Sequence, residues 1–86
     1  MRFYLGHIVV TPGALDTFGY EGCFRLLLRH AGGDWGDVDG RDRRENERAL
    51  RDGARLFSAY DTPAGRCWII TEADRSSTCV LLPSEY

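Results

Sequence analysis

The chain has 86 residues, 43% hydrophobic and 28% charged, with a formal net charge of −2. That length makes one domain, residues 1–86, with one modest core, and that composition is globular rather than disordered. It excludes a membrane-spanning helix, because no apolar run approaches the roughly 18 residues needed, and it argues against a broad basic face for nucleic acid.

All eleven basic residues are arginine, which pairs bidentately with carboxylates and stacks on aromatic rings better than lysine does. Cys23, Cys67 and Cys79 are an odd number without metal-ligand spacing. They read as thiols in a reducing compartment, not as the framework of a small secreted scaffold, which takes four or more cysteines. The start, Met1 to His7, has one basic residue and no small-residue cleavage site. A secretory signal is not expected, and a cytoplasmic protein is.

In chain order, Phe3 to Val10 is rich in aromatic and β-branched residues and predicts a strand. Thr11-Pro12 ends it and caps a short helix from Gly13 to about Phe18, which Gly19 stops. A second helix is predicted from about Glu21 to His30, with Phe24, Leu27, Leu28 and Ala31 on one apolar face. Arg29 and His30 stand at its end, where positive charge complements the dipole. Gly33 to Asp39 reads as an acidic loop. Asp39 then caps a third helix from about Arg41 to Asp52, closed by Gly53. That helix is nearly all charge, with opposite charges four residues apart at Arg41/Glu45, Arg43/Glu47, Glu47/Arg51 and Arg48/Asp52. Val38, Ala49 and Leu50 are its apolar anchors.

Three strands follow, at about 55–61, 66–72 and 77–82, joined by the hairpin turns Thr-Pro-Ala-Gly and Ala-Asp-Arg-Ser. The expected fold is therefore α+β, an antiparallel sheet with elements in the order β-α-α-α-β-β-β and the helices on one face. Pairing Tyr60 with Arg66 and Glu72 with Ser77 puts Phe57, Ala59, Cys67, Ile69, Val80 and Leu82 on the core face. Leu56, Ser58, Tyr60, Arg66, Trp68, Ile70, Cys79 and Leu81 then form a mixed second face with an exposed Trp68. A one-residue slip would exchange these faces.

No complete catalytic or metal motif is legible, and no cofactor is implied. The acids Asp34, Asp37, Asp39 and Asp42 do not follow the alternation of an EF-hand, since Arg41 occupies a ligand position. They read as caps and solvated charge, or as a patch facing a partner. Trp35 reads as a lid on the core or as a binding anchor beside that charge. Glu72 to Thr78 reads as turn chemistry or as a recognition loop. His7 and His30 are lone histidines without a nucleophile at recognisable spacing.

Three stretches look familiar together: Gly6-His-Ile-Val-Val-Thr-Pro-Gly-Ala-Leu15; Gly33-Asp-Trp-Gly-Asp37 with Glu45-Asn-Glu-Arg-Ala-Leu50; and Trp68-Ile-Ile-Thr-Glu-Ala-Asp-Arg-Ser76 with Leu81-Leu-Pro-Ser-Glu-Tyr86. The chain resembles a group of short bacterial proteins carried on plasmids and other mobile elements, called plasmid-related proteins. It departs from their pattern around Tyr20-Glu-Gly-Cys23, where a polar helix start is expected. The resemblance implies a genomic setting in which small proteins counter host defence, as anti-CRISPR and anti-restriction inhibitors do. It carries no functional residues with it.

The expected function is non-enzymatic inhibition of a host defence complex, by covering its basic nucleic-acid-binding surface. The expected contacts are Asp34, Trp35, Asp37, Asp39, Asp42, Glu45 and Glu47, with charge steering association and the aromatic anchoring it. Direct nucleic-acid binding and a membrane are not expected, and the mixed sheet face offers a surface for a homodimer. Two readings of other classes stand beside this one. A toxin-type ribonuclease would use His7, Arg55, Tyr60 and Arg66, and a structural oligomerisation module would use the sheet face.

Overall fold

A computed structural model describes all residues, 1–86. It is α+β, with β1 (His7–Val10), α1 (Pro12–Ala31), α2 (Gly40–Asp52), β2 (Leu56–Thr62), β3 (Gly65–Thr71), β4 (Ser77–Leu81) and a closing 3-10 turn at Pro83–Glu85. The sheet runs in the order β1-β4-β3-β2. The two hairpins are antiparallel, but β1 lies parallel to β4, so the sheet is mixed where an antiparallel one was expected.

β1 is half the predicted length. Gly6 takes a φ of +66° against the Ser76 backbone, where any Cβ would collide. The chain turns out of the sheet there. Its first residues close the space between the helices: Arg2 N–H bonds the Ala31 carbonyl, and Phe3 packs against His30 and Trp35.

The two helices predicted before His30 are one element, α1, broken at Gly19 (φ 70°, ψ 172°). Thr11 caps it as its sequence predicts, accepting from Ala14 N–H. The buried side is Ala14, Cys23, Leu26, Leu27, His30 and Ala31. Phe24 and Leu28, expected in the core, are exposed instead. The buried hydrogen bonds of His30 fix the inward side of the helix, which takes in Cys23, Leu26 and Leu27.

The β3–β4 register matches the sequence expectation, but β2 is displaced by one residue: Tyr60 lies opposite Cys67, and Asp61 opposite Arg66. Thr62 and Gly65 close the hairpin, leaving Pro63 and Ala64 as a two-residue turn. Because side chains alternate across a sheet, this slip inverts the whole of β2. Tyr60, Cys67, Ile69 and Val80 form the core under α1. Leu56 and Ser58 share that face, while Phe57 and Ala59 join Trp68, Ile70 and Leu81 on the other. That second face is not open. Ile70 and Leu81 are buried, and the Trp68 ring is half-buried between Phe57 and Tyr86.

α2 does not share the face of α1. It lies along the edge of β2, where Trp35, Val38, Ala49, Leu56 and Ala59 make a second, smaller core. The predicted cap and stop are both present, with Asp39 accepting from Asp42 N–H and Gly53 left-handed. Of the anticipated charge pairs none forms at four-residue spacing; Glu45 instead meets Arg48, at 3.9 Å.

Candidate functional site

The acidic loop is built into the sheet. Trp35 C=O accepts from Ala59 N–H at 3.2 Å, and Asp37 N–H donates to Ala59 C=O at 2.6 Å. This parallel bridge, centred on Gly36, adds a strand-like segment outside β2. Gly36 has a φ of +76° and lies so close to the Ala59 carbonyl and the Tyr60 ring that no Cβ fits. The neighbouring edge positions are filled by side chains. Asp37 Oδ2 accepts from Asp61 N–H at 2.8 Å, and the Asn46 amide bonds both backbone groups of Phe57. The outward N–H groups of Phe57, Ala59 and Asp61 are thus all partnered, and an edge that would template foreign strands is closed.

Trp35 is 1% exposed, so the reading of it as a partner anchor is overturned. Its ring stacks on Phe3 and meets His30 edge-on, and its Nε1–H donates to Glu47 Oε2 at 2.9 Å. A loop that must cross the end of the core needs a large side chain to seal it, and this tryptophan serves. Glu47 is half-exposed but already engaged within the protein. Its two oxygens accept from both terminal nitrogens of the Arg2 guanidinium, and these bonds, with the Trp35 donor, hold its carboxyl below the usual range.

The other acids remain at the surface. Asp34 Oδ2 accepts from Arg29 Nε at 2.7 Å, and its Oδ1 accepts from Gly36 N–H. The Arg29 hydrogen bond lowers its pKa. Arg29 in turn lies over the Tyr60 ring, whose hydroxyl donates to Asp34 C=O at 2.6 Å. Asp37 and Asp39 each spend one carboxylate oxygen on a backbone N–H and stay exposed. Asp42 and Glu45 are exposed as well. Asp34, Asp37 and Asp39, on the loop along β2, and Asp42 and Glu45, on α2, thus make a ledge of exposed acids, with Asp34 paired to Arg29 and Trp35 buried behind.

The remainder of α2 has the opposite sign. Arg43, Arg44, Arg48 and Arg51 flank Glu47 around a shallow groove of about 410 Å³. Arg43 is tied to the Gly36 and Val38 carbonyls. The surface of α2 is therefore of mixed sign, as its sequence of interleaved arginines and acids leads one to expect. No group of three or more His, Cys, Asp or Glu side chains converges as a metal site.

The residues of the ribonuclease reading are not assembled. Tyr60 is buried and bonded to Asp34, Arg66 pairs with Asp61, Arg55 bonds Glu72 and Tyr86, and His7 lies on β1 at the far edge. The thiols of Cys23 and Cys67 are pushed up by burial, Cys67 to about 12, and all three cysteines are free.

His30 differs from its sequence reading. Its imidazole is fully buried, with Nδ1 2.6 Å from Ser58 Oγ and Nε2 2.9 Å from Thr71 Oγ1. Thr71 Oγ1 meets Thr78 Oγ1, whose hydroxyl donates to the Leu5 carbonyl. A carbonyl only accepts, which assigns the direction of the whole chain: Thr78 donates to Leu5, Thr71 to Thr78, His30 Nε2–H to Thr71, and Ser58 to His30 Nδ1. Burial first, and then the nearby Arg75 charge, lower the pKa to about 4. The ring is neutral at pH 7 and adds no positive charge to the helix end.

Sequence reasoning missed Asn46, and it reads Arg75 as the partner of a nearby carboxylate, whereas Arg75 bonds backbone carbonyls. Asn46 is the one uncharged polar residue of a charged helix, three residues before Ala49 on the docked side, and that position was its signal. Arg75 sits at φ 61° in the β3–β4 turn. Its guanidinium donates to the carbonyls of Ala49, Ala54, Glu72 and Ala73, tying the turn to the end of α2. Glu72 to Thr78 is thus engaged in turn and tertiary bonding, with Asp74 Oδ1 accepting from Ser76 N–H. No family model matches the chain, and neither a curated protein nor a solved structure matches it.

Proposed function

We propose that the protein is a non-enzymatic, mobile-element inhibitor of a host defence complex, covering a basic nucleic-acid-binding surface with the ledge of Asp34, Asp37, Asp39, Asp42 and Glu45. The observation that supports this reading is the way the carboxylates are held. Asp34, Asp37 and Asp39 each use part of the carboxylate on internal hydrogen bonds and remain exposed. Fixed charges lose little conformational freedom when a partner arrives, so the cost of ordering them on binding is small. Exposed carboxylates along a closed sheet edge offer partners to arginines or lysines that otherwise hold a phosphate backbone. The setting in host defence rests on the resemblance to mobile-element proteins.

The test is capture of the partner from host lysate, followed by competition. The captured complex should bind nucleic acid, and nucleic acid should displace the protein from it. Asp42→Arg with Glu45→Arg, two residues without an internal hydrogen bond through the carboxylate, should weaken capture about tenfold, a change of about 1.4 kcal/mol. A complex that holds the protein and its nucleic acid together undiminished would sink the proposal.

A further inference from the structure

β1 is the open edge of the sheet, and most of the side chains around it are apolar. Ile8 is 52% exposed and Val9 50%. Beside them α1 presents Tyr20, Phe24 and Leu28, which are 83%, 60% and 56% exposed and follow one another at four-residue spacing. A groove of about 460 Å³ joins the strand to the helix; its lining is apolar, with Ile8, Val10, Leu15, Phe24 and Leu27 among it, except for Glu21. The opposite edge, β2, is closed by Asn46 and residues 35–37, so the two edges of this sheet are treated in opposite ways. A short chain that fills one edge completely and surrounds the other with exposed aromatic and aliphatic groups carries an interface there.

We infer that β1 and the Tyr20–Phe24–Leu28 stripe of α1 form a two-fold interface with a second copy of this chain. The hydrogen-bond parity of β1 supports a symmetric partner. His7 N–H and Thr11 N–H point inward, to the Ser76 and Val80 carbonyls. Alternation then leaves the N–H and C=O groups of Ile8 and Val10 pointing outward. An antiparallel copy related by a two-fold axis at Val9 sets Ile8 opposite Val10 of the second copy, and Val10 opposite its Ile8. All of these open groups are satisfied at once. The two Val9 side chains meet on the axis.

A two-fold axis normal to the sheet keeps both α1 helices on the same side, next to one another. Each stripe then finds the other. A foreign peptide added to β1 would cover Ile8 and Val9 but bring no helix to Phe24 and Leu28, so the second copy accounts for more of the surface. The five apolar side chains expose on the order of 600 Å² per protomer, most of the roughly 800 Å² per partner of a standard interface. Glu21 and Arg25 border the stripe, 3.5 Å apart and well exposed. Across a two-fold axis, a mixed-sign rim of this kind can pair with itself.

The interface lies at the opposite end of the sheet from the acidic ledge. A dimer built this way is one eight-stranded sheet with a ledge at each outer end. It would engage a multi-subunit target twice, and linked binding raises avidity by orders of magnitude without new contacts.

The experiment is sedimentation equilibrium on the whole chain from about 1 to 100 μM. The expected species is a dimer, and a monomer throughout that range overturns the inference. Phe24→Glu changes an exposed helix residue and should give a folded monomer. Ile8→Pro removes an N–H unused within the protomer and should do the same, since proline is tolerated at an open edge. A dimer that persists in Phe24→Glu, with unchanged circular dichroism, would overturn the inference. Val9→Cys, made with Cys79→Ser because Cys79 lies opposite Val9 in the same protomer, should crosslink the two copies under mild oxidation, and a dimer in which it does not would disprove the Val9-centred pairing.

Discussion

The Asn46 side chain pairs with Phe57 as a peptide group would: Nδ2 donates to the Phe57 carbonyl at 2.6 Å, and Phe57 N–H donates to Oδ1 at 3.0 Å. A helix thereby continues the hydrogen bonding of a sheet, and the loop of Trp35 to Asp37 carries the same pairing on to Ala59. The face of α2 that looks at the protein is defined by this contact, and with it the face that carries the acids outward.

Asn46→Ala should cost about 2–3 kcal/mol, because two backbone groups lose their partner in a half-buried site. Asn46→Asp should be at least as damaging at neutral pH, since a carboxylate would face the Phe57 carbonyl without a donor. Urea denaturation monitored by tryptophan fluorescence measures both. A cost below 0.5 kcal/mol for the alanine variant would show that water replaces the amide and that the edge is not sealed.

His30 makes stability depend on pH. Its pKa is about 4 in the fold, against an ordinary value of 6.5. Between these values the unfolded chain binds the extra proton and the folded one does not, so protons favour unfolding. The stability is complete above about pH 6.5 and declines progressively toward pH 4, by on the order of 3 kcal/mol over the whole window. Thermal melting from pH 7 to pH 4 should show this decline, and His30→Gln should flatten that part of the profile. An equally steep decline in the variant would place the proton elsewhere.

Arg75→Ala should destabilise by about 2 kcal/mol, because it leaves the Ala54 carbonyl without its side-chain donor and unties the turn from the Ala49 carbonyl, which keeps only its backbone partners Gly53 and Ala54. Arg75→Lys should recover less than half of that, since one ammonium cannot reach carbonyls on both sides of the turn as the planar fork does. Equal stability of the lysine variant and the natural protein would mean that charge alone suffices.

The acidic ledge separates into residues that can and cannot be changed freely. Asp42→Arg with Glu45→Arg should leave melting within about 0.5 kcal/mol of the natural protein. Reversal of Asp34, Asp37 and Asp39 should itself destabilise, because Asp39 caps α2 at about 1 kcal/mol and the other two organise the loop. Binding to a basic partner should weaken as salt rises, since exposed pairs are screened over about 8 Å at physiological ionic strength. Salt-independent binding would direct attention away from the ledge.

Local signals in the chain were sufficient for most of its element boundaries, though not for the length of β1 or the joining of α1 across Gly19. Thr11-Pro12 and Asp39 start helices where they stand, Gly53 stops one, and the strands of 56–81 lie between their turns, because caps, turn residues and periodicity act over three or four residues. The β3–β4 register followed from the Ala-Asp-Arg-Ser turn alone. What only the tertiary structure decided depends on contacts far apart in sequence. The inversion of β2 turns on one residue of hairpin length, and no apolar pattern in Leu-Phe-Ser-Ala-Tyr distinguishes its two faces. Gly6 sends the first residues out of the sheet because the Ser76 backbone lies against it, seventy positions away. Trp35 and Asp37 look like surface groups in a glycine-rich acidic loop, and they became an edge and a seal because β2 needed partners that no local sequence could announce. The exposed Phe24 and Leu28 were likewise read as core, since helical spacing shows that a face is apolar but not what lies opposite it. Long-range pairing, not propensity, placed each of these side chains.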